Sequence, residues 1–492
     1  MRVKPLRRLL TLGLAIMSPL GAGACRDQPQ GSIKVTVIGD HARLRDPAAG
    51  PLSTSDALLL ENVAQGLVRF DSAGNIVAGL AERWNVSDDG LSYIFRLSPG
   101  QWPGGGKITA KQVARSIKRQ LAATSKNSLK DTLGAVEDVV AMTDRVIEIR
   151  LIAPRPNLLP LLAQPELAVI RDGHGTGPFA ASPAGKDGLL RLSRELVSPD
   201  DEAKTKEDVL LGGAPAGAAV QSFAAGQTDL VLGGTFADLP LARRVKLPRG
   251  SVRFDPASGL FGLVPLRKDG LVGDPNVRRL LAQSIDRELL VRALNVPGLA
   301  ARSTILEPGL EGLPVLAQPA WAATPLAERS AGLAAEAHEL LASAEKPVIR
   351  VRLPQGPGAD LLLLRLMLDW GALGLTVERA NSGMAADLAL VDQVAPSNSP
   401  AWFVRSFRCE LAAVCDPEAD QLMASARFAP VPAQRAALLM QAAARLDDAY
   451  AFIPLAAPIR WSLVGPRIEG FAGNRYARHT LTGLEQKASP GG

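Results

Sequence analysis

The alternation of apolar and polar residues predicts a block of short strands and tight turns in the first quarter of the chain. Residues 91–97 carry Leu, Tyr, Phe and Leu at every second position, which is the pattern of a strand with one buried face. Glycine, aspartate, asparagine and serine predict tight turns at residues 72–75 and 88–90. Thr109 precedes an amphipathic stretch at residues 110–124, so we expect a helix with Thr109 as its N-cap.

Farther along, stretches with the two-residue period of strands alternate with stretches that have the period of helices. Between residues 347 and 378 the predicted order is strand, helix, strand, which implies a parallel α/β layer. The chain is therefore predicted to belong to the α/β class. The strands are predicted at residues 32–39, 145–151, 189–192, 228–232, 347–353, 376–378 and 387–391, and the helices at residues 57–67, 218–225, 274–287, 361–373 and 433–446.

The first 24 residues have the composition of a secretory signal peptide. Four basic residues within positions 2–8 precede an apolar run at 9–20, which is too short to span about 30 Å of hydrocarbon. Small residues at 22–24 stand directly before Cys25, which resembles the lipobox of bacterial lipoproteins, although Ala22 replaces the usual leucine. Two outcomes stay open: lipidation of Cys25, which we favour, or plain cleavage near the same site.

Removal of this segment changes the charge balance. The chain of 492 residues has a formal net charge of +6, and the segment contributes four basic residues and no acidic one, so 51 basic and 49 acidic side chains remain. A nearly neutral mature chain without a long basic cluster argues against nucleic acid or an anionic membrane surface as a partner. With 47% apolar residues, the chain is long enough for two or three domains with cores of their own.

Cysteine use agrees with an exported protein. If Cys25 carries the lipid, Cys409 and Cys415 remain as an even pair in an oxidising compartment. A disulfide between them would close a small ring, which contributes about 2 kcal/mol to stability in the chain-entropy model. We expect this disulfide, with two unpaired thiols as the alternative. A metal site is not expected there, because no histidine or further cysteine lies nearby to complete a ligand set.

Two blocks of the sequence carry motifs in a characteristic order. The first contains Gln-Gly-Leu at 65–67, Leu-Ala-Glu-Arg-Trp at 80–84, Ser-Asp-Asp-Gly at 87–90 and Thr-Ala at 109–110. The second is the helical stretch at 274–287, which ends in Ile-Asp-Arg. Together they closely resemble the signature of the extracytoplasmic peptide/nickel solute-binding proteins of ABC importers. One departure occurs at 195–198, where Glu-Leu-Val-Ser stands in place of the family's Asn-x-x-Tyr-Trp segment.

The resemblance implies an α/β, two-lobed fold like that of the type II periplasmic binding proteins, with two crossings between the lobes and an extra subdomain inserted in the first lobe. Solute would bind between the lobes and stabilise their closure by contacting both. The implied boundaries are a signal peptide at 1–24, the first lobe at 25–55, 170–260 and 453–484, the inserted subdomain at 56–169, the second lobe at 261–452 and a disordered tail at 485–492.

Motifs for catalysis are absent from the sequence or incomplete. No Gly-x-Ser-x-Gly motif occurs, and His338-Glu339 begins like a zinc-protease helix but has Ala342 where the second ligand is required. Asp88 and Asp89 stand beside a glycine and are interpreted as turn residues rather than as paired catalytic carboxylates. The protein is therefore predicted not to be an enzyme and to need no metal or other cofactor.

The family's cleft takes residues from the loop after the first strand and from a segment after a late strand of the second lobe. The resemblance places Asp40 and His41 in the first position. In the second, peptide binders carry a Trp-x-x-Asp pattern whose carboxylate pairs with the peptide's free amine, whereas this chain has Gln393 and Pro396 there. Because a buried ammonium without a counter-charge is costly, either Asp392 takes over or, as we favour, the solute lacks a free α-amine.

Trp402 and Arg405 lie close to the same segment. Trp402 either stacks on a flat or apolar solute or belongs to the core, and Arg405 either pairs with a carboxylate or phosphate or is solvated at the surface. The ligand-binding residues predicted from the sequence are thus Asp40, His41, Asp392, Gln393, Trp402 and Arg405.

The sequence predicts a monomeric receptor in the periplasm or at the cell surface, anchored through a lipid on Cys25. It would capture a peptide or peptide-like solute and deliver it to the inner-membrane permease of an ABC importer. Two alternatives stay open. One is a nickel-chelate or haem carrier of the same fold, with His41 as the plausible ligand, and the other is a scaffold or chaperone-like lipoprotein that has lost transport.

Overall fold

The strands and helices that the sequence predicts occur in the predicted order, and further elements that it does not predict lie between them. The computed structural model describes residues 31–185, 187–197, 204–342, 347–381 and 383–487. The strands are β1 (Ile33–Ile38), β2 (Val68–Phe70), β3 (Ile76–Ala78), β4 (Ala81–Val86), β5 (Ser92–Leu97), β6 (Val136–Thr143), β7 (Val146–Leu151), β8 (Ile170–Arg171), β9 (His174–Gly175), β10 (Ala180–Pro183), β11 (Leu190–Val197), β12 (Lys204–Ala214), β13 (Leu230–Thr235), β14 (Val252–Phe254), β15 (Gly259–Pro265), β16 (Val348–Arg352), β17 (Thr376–Arg379), β18 (Leu388–Val394), β19 (Ile453–Ala456), β20 (Arg460–Val464), β21 (Ile468–Glu469) and β22 (Glu485–Gln486). The helices are α1 (Thr54–Val63), α2 (Ala110–Leu121), α3 (Leu158–Leu162), α4 (Ala216–Ala224), α5 (Leu239–Arg243), α6 (Pro275–Ser284), α7 (Arg287–Leu294), α8 (Leu326–Leu341), α9 (Pro357–Gly371), α10 (Pro400–Arg405), α11 (Pro417–Phe428) and α12 (Pro432–Asp448).

The predicted hairpin block is confirmed. Asp71 accepts hydrogen bonds from the backbone of Ala73 (2.9 Å) and Asn75 (2.8 Å), and Gly74 adopts a φ of 81°, so the chain reverses between β2 and β3. Thr109 caps α2, and its capping box with Gln112 satisfies free backbone donors at both ends of the motif. These local interactions fix the entry to the four-stranded antiparallel sheet β4-β5-β7-β6 and to the helix beside it.

Two larger sheets carry the rest of the fold. The seven-stranded sheet has the order β10-β11-β12-β1-β13-β20-β14, and the five-stranded sheet has the order β17-β16-β18-β15-β19. In the second sheet β16 pairs in parallel with both β17 and β18, which confirms the predicted parallel layer. Each sheet is covered by helices, as expected for an α/β fold with separate lobes.

The chain passes between the two large sheets at two places. Residues 255–258 connect β14 to β15, and residues 457–459 connect β19 to β20. The sequence analysis assigns residue 453 onward to the first lobe, but β19 pairs with β15 in the five-stranded sheet. It also assigns Gly259 and Leu260 to the first lobe, and both belong to β15 of that same sheet. The two sheets and the two connections fit the expected pair of lobes, and we place the return crossing after Ala456.

The start of the inserted subdomain is also later than expected. Leu58 and Leu59 of α1 lie in one apolar core with Val35 and Val37 of β1. The burial of this helix against the seven-stranded sheet ties it to the first lobe, so we place the beginning of the insertion after α1 rather than at residue 56. The subdomain has an apolar core of its own, built from the four-stranded sheet, α2 and α3.

Two features differ from the prediction near the edges of the first lobe. The segment 195–197 continues β11, which pairs antiparallel with the long strand β12 that the sequence analysis does not predict. The expected disordered tail begins too early, because β22 pairs with β21 and Lys487 forms a 2.8 Å ion pair with Glu469. Both differences arise because pairing with another strand supplies order that the local pattern of residues does not indicate.

Several predictions fall wholly or partly outside the described residues, namely the signal peptide, Cys25 and the last residues of the tail, 488–492. Within the part of the chain that the structure describes, no helix is long and apolar enough to cross a membrane. Cys409 and Cys415 lie in the loop after α10 with Cα atoms 5.0 Å apart, inside the usual range for a disulfide.

Candidate functional site

A cavity of about 600 Å³ lies between the two large sheets. We call it the interlobe cavity. Its walls come from β13 and β20 of the seven-stranded sheet and from β18 and α10 on the side of the five-stranded sheet. The inserted subdomain contributes Gln164 and Glu166, and the C-terminal loop contributes residues 476–479. Its size lies within the range of natural small-molecule sites, about 300–1,000 Å³.

A glycine in β13 shapes the floor of this cavity. A Cβ atom on Gly234 would lie 2.2 Å from the indole of Trp461, so only glycine allows this ring to pack flat against the strand. The indole nitrogen of Trp461 donates a 2.8 Å hydrogen bond to the carbonyl of Thr235. The floor is therefore a rigid aromatic surface held by two neighbouring strands.

Asp392 and Arg460 join the two lobes at the cavity. Arg460 of β20 donates to the carboxylate of Asp392 at 2.8 Å and to its backbone carbonyl at 3.1 Å, although Asp392 belongs to β18 of the other sheet. Burial raises the pKa of Asp392, and the charge of Arg460 opposes that rise. The carboxylate of Asp392 is thus already paired with the positive charge of Arg460. It is therefore poorly suited to bind the ammonium group of a solute.

An ion pair and a contact between a histidine and a carboxylate also line the same cavity. Arg478 donates to Glu166 at 3.1 Å and to Gln164 at 3.1 Å, and Nε2 of His479 lies 3.1 Å from the carboxylate of Asp255. These contacts tie the C-terminal loop to the inserted subdomain and to the first connection between the lobes. Together with the contact between Asp392 and Arg460, they give three acids of the wall, Glu166, Asp255 and Asp392, a basic partner each.

Glu61 is an acid of the wall that has no such partner. Its residue is half-buried on α1, and its carboxyl group makes no hydrogen bond or ion pair with other described residues. Burial raises its pKa from 4.5 to about 7, while the charges of Arg478 and His479 oppose the rise and Glu166 adds to it. A carboxyl group held in this state is prepared to bind a cation, because a nearby positive charge would replace the lost hydration.

The raised pKa of Glu61 predicts a specific pH dependence of stability. Since the folded state holds the proton more tightly, this stabilising effect is complete below pH 4.5 and is lost as the pH rises toward 7. Glu61→Gln should remove the loss, so the variant should become more stable than the natural chain by up to about 3 kcal/mol at pH 8. Urea unfolding from pH 4 to 8 measures the difference.

The matched control for this experiment is Glu339→Gln on the exposed face of α8, where the glutamate has no ion pair with described residues. It reports what the change from carboxyl to amide does to stability at an exposed site. A stability difference for Glu61→Gln that does not vary with pH would show that Glu61 is not held in its protonated form.

Arg405 is the second charged residue of the wall without a partner. Its Nη1 atom is buried and has no hydrogen-bond partner in the described part of the chain, and burial lowers its pKa to about 10. Trp402 is buried, packs edge-on against Phe403 at 5.1 Å and still lines the cavity, so its roles in core and wall coincide. Gln393 is exposed and also lines the cavity. The structure therefore brings together Asp392, Gln393, Trp402 and Arg405.

Asp40 and His41 lie elsewhere. His41 is exposed, and its Nδ1 atom accepts a 3.2 Å hydrogen bond from the backbone of Gly213 at the end of β12. The cavity is lined on the other side of β1, by β13 and β20. Neither residue lines the interlobe cavity, so the structure does not support the expectation that this loop faces the solute.

The sequence analysis misses Glu61, Glu166, Arg460 and Arg478. The sequence does contain a signal for one of them. Glu61 directly follows the apolar run Leu58-Leu59-Leu60 in a helix that is buried on most sides. A charged residue in such a helix is expected to have a special role. The other three come from segments far apart in sequence, and only the fold shows that they share one cavity.

Two lobes that enclose a polar cavity, with two connections between them, define a solute-binding protein of the periplasmic type. A family model for bacterial extracellular solute-binding proteins, family 5 Middle, matches residues 75–348, more than half of the chain. The chain belongs to this family. The family and its relatives are solute-binding proteins rather than enzymes, and they function outside the cytoplasm.

Similar proteins agree with this assignment. A probable di/tripeptide-binding protein 5 of Pseudomonas aeruginosa is 24% identical over 488 residues, which covers 86% of this chain and 89% of the relative. The crystal structure of Haemophilus influenzae OppA in complex with RPPGFSPFR has a TM-score of 0.79 and 18% identity, covering 93% of this chain and 100% of that one. The Escherichia coli murein tripeptide binding protein MppA has a TM-score of 0.78 and 18% identity, covering 93% and 99%.

Proposed function

We propose that this protein is the peptide-binding component of an ABC importer, which captures a short peptide between its lobes and presents it to a membrane permease. The observation that carries the proposal is the charge pattern of the interlobe cavity. Among the described residues, each acidic or basic side chain of its wall contacts a side chain of the other kind, except for one acid, Glu61, and one base, Arg405. A peptide supplies the two complementary charges, an ammonium and a carboxylate.

The position of the acid modifies the expectation drawn from the sequence. That expectation was a solute without a free α-amine, because Pro396 stands where the family has an aspartate. Asp392 is engaged with Arg460, so it does not replace the missing aspartate. Glu61 lines the same cavity from the opposite lobe and lacks a partner among the described residues. We propose that Glu61 takes the ammonium group and that peptides with a free amine are bound.

A defined peptide library tests this function. The purified protein is incubated with di- to pentapeptides and with their N-acetylated forms, and bound species are identified by native mass spectrometry and ranked by calorimetry. We expect binding of free peptides, a loss of at least tenfold in affinity on N-acetylation, and the same loss for free peptides in Glu61→Gln. Equal affinity for acetylated and free peptides would contradict the role of Glu61, and no peptide binding at all would contradict the function.

The other candidate functions have less support. A nickel-chelate or haem carrier was predicted to use His41, which lies outside the interlobe cavity. Within the described residues, no group of three or more His, Cys, Asp or Glu is placed to hold a metal ion. A scaffold without a solute gives no reason for an unpaired acid and an unpaired base in one cavity.

The cellular setting remains part of the proposal. We propose that the mature protein is a periplasmic monomer held at the membrane by a lipid on Cys25, and that Cys409 and Cys415 form a disulfide. The distance between their Cα atoms supports the second point. Intact mass tests both points, since an acyl increment on Cys25 and the absence of alkylation at the two other cysteines are expected. An unacylated Cys25 would end the anchoring proposal.

A further inference from the structure

A second cavity, of about 380 Å³, lies beside the interlobe cavity. Its walls come from residues 131–136 and 155–161 of the inserted subdomain and from α10, α11 and α12 of the second lobe. Trp402 and Arg405 line both cavities, so the two spaces meet at these side chains. We call the second space the arginine cavity, after the five arginines in its wall.

These arginines outnumber the acids of the same wall, which are Asp131, Glu410 and Asp420. Arg408 is paired with Glu410 at 2.8 Å. Asp420 accepts a hydrogen bond from the backbone of Cys409 at 3.0 Å, and Asp131 is exposed and attracts Arg405 without forming an ion pair. The arginines that line the cavity without a carboxylate partner among the described residues are Arg155, Arg405, Arg427 and Arg435.

The four unpaired guanidinium groups donate hydrogen bonds only to neutral acceptors of the described residues, or to none. Arg155 donates to the carbonyls of Pro154 (2.7 Å) and Arg427 (2.6 Å), and Arg435 reaches the hydroxyl of Ser399 at 3.4 Å. Arg427 donates to the carbonyl of Gly134. Arg405 has no side-chain hydrogen bond to a described residue, and its Nη1 atom is buried.

Burial and mutual repulsion make this arrangement unfavourable without an anion. Burial, together with the charges of Arg435 and Arg427, lowers the pKa of Arg155 to about 10. Glu311, an acid outside the wall of this cavity, opposes the lowering of the pKa for Arg155 and Arg435, while burial raises its own pKa. Several positive charges held together in a half-buried space cost free energy unless an opposite charge is bound there.

Much of the remaining wall is apolar. Leu133, Leu158, Leu161, Met423 and Leu439 line the cavity around the arginines. Apolar side chains favour a hydrocarbon body, and guanidinium groups favour a planar or tetrahedral oxyanion that accepts two hydrogen bonds at once. The wall is therefore matched to an anionic group carried on an apolar body.

We propose that the arginine cavity receives an acidic, partly apolar arm of the solute, whose oxyanion is bound by Arg405 together with Arg155 and Arg435. The proposal rests on the proposed function in one respect, since the arm belongs to the peptide that occupies the interlobe cavity. The substrate class is then peptides with a carboxylate next to an apolar side chain. A small free anion is the other source of the same chemistry, and the experiment separates the two.

Two sets of probes test the proposal, with Arg405→Gln and Arg435→Gln as variants and Arg115→Gln on the exposed face of α2 as control. The first set is octanoate, 1-octanol and inorganic phosphate, measured by thermal shift and calorimetry. We expect binding of octanoate to the natural chain and to the control, at least tenfold weaker binding in both variants, and no binding of octanol. The second set is Ala-Leu-Glu and Ala-Leu-Gln, with at least a tenfold preference for the glutamate peptide that both variants lose.

The outcomes distinguish this proposal from the proposed function. Peptide binding without any preference for glutamate, and unchanged in Arg405→Gln, would overturn the arginine cavity as a site while peptide binding stands. Arginine-dependent binding of octanoate without any peptide binding would overturn the peptide function and keep the anion site. Phosphate that binds as tightly as octanoate would overturn the requirement for an apolar arm.

A stability measurement on the empty protein adds a readout that is independent of any ligand. Arg405→Gln removes a buried charge that lacks a partner, so its melting temperature should rise above that of the natural chain while its affinity for octanoate falls. A lowered melting temperature together with unchanged affinity would assign Arg405 to the fold instead of the site.

Discussion

Replacing Gly358 by alanine is expected to destabilise the protein by about 3 kcal/mol or more. Gly358 lies in the first turn of α9, where its backbone N–H donates a 2.8 Å hydrogen bond to the carbonyl of Ala237. A Cβ atom would lie 1.9 Å from the carbonyl oxygen of Phe236, and no side-chain rotation relieves that contact. The helix and the segment after β13 would have to separate, which breaks a contact between the lobes. Urea unfolding measures the loss.

The control is a second helical glycine with free space around it. Gly332 lies within α8, and nothing is found within 4 Å of the position its Cβ would take. Gly332→Ala should therefore increase stability by about 1 kcal/mol, because alanine is the better helix former. If Gly358→Ala and Gly332→Ala change the free energy of unfolding by similar amounts, the result would contradict close packing of α9 against the first lobe.

Replacing Asp392 by asparagine is expected to cost about 3 kcal/mol in the empty protein. The substitution leaves Arg460 without its carboxylate, although both side chains are mostly shielded from water, at 16% and 17% exposure. Arg460 would keep its 2.9 Å contact with the carbonyl of Ile459, which replaces little of the lost charge interaction. Thermal and urea unfolding without ligand measure the cost. If Asp392 contacted only the solute, its substitution would leave the stability of the empty protein unchanged, which would contradict this prediction.

Two comparisons sharpen this second prediction. Asp138→Asn breaks an exposed pair with Lys118, where the side chains are 43% and 52% exposed, and should cost much less stability than Asp392→Asn because water screens the pair. The double variant Asp392→Asn, Arg460→Gln removes both charges and should be more stable than Asp392→Asn alone. If the double variant loses the sum of the two single costs, the interaction between the lobes is not the source of the effect.

The elements that the sequence predicts well are those that local interactions determine. The turn at Asp71 and the capping box at Thr109 each depend on residues that lie within four positions of one another. The alternation in β5 also appears in the structure, with Tyr93, Phe95 and Leu97 buried and Ile94 and Arg96 exposed. In contrast, β12 and β22 have little pattern of their own and depend on distant strands for their order.

The candidate site also has a part that local sequence predicts and a part that depends on distant segments. The segment from Asp392 to Arg405 was predicted because its motif is continuous in sequence, and it does line the interlobe cavity. The partner of Asp392 was not predicted, because Arg460 follows it by 68 residues and reaches it only after the second crossing. His41 was misplaced for a related reason. The loop after β1 leans toward β12, since Gly213 lies close enough to Asp40 that a Cβ atom there would be 2.3 Å from its carbonyl oxygen.

The two connections between the large sheets each contain a proline, Pro256 in residues 255–258 and Pro458 in residues 457–459. Proline fixes its own φ and confines the residue before it to extended conformations, so only a few torsions remain free in each connection. We therefore expect the two lobes to rotate about nearly a single axis when they close, with little freedom in other directions. A peptide that is one residue too long would prevent the lobes from closing. Because the connections are stiff, the protein would then select peptides by their length.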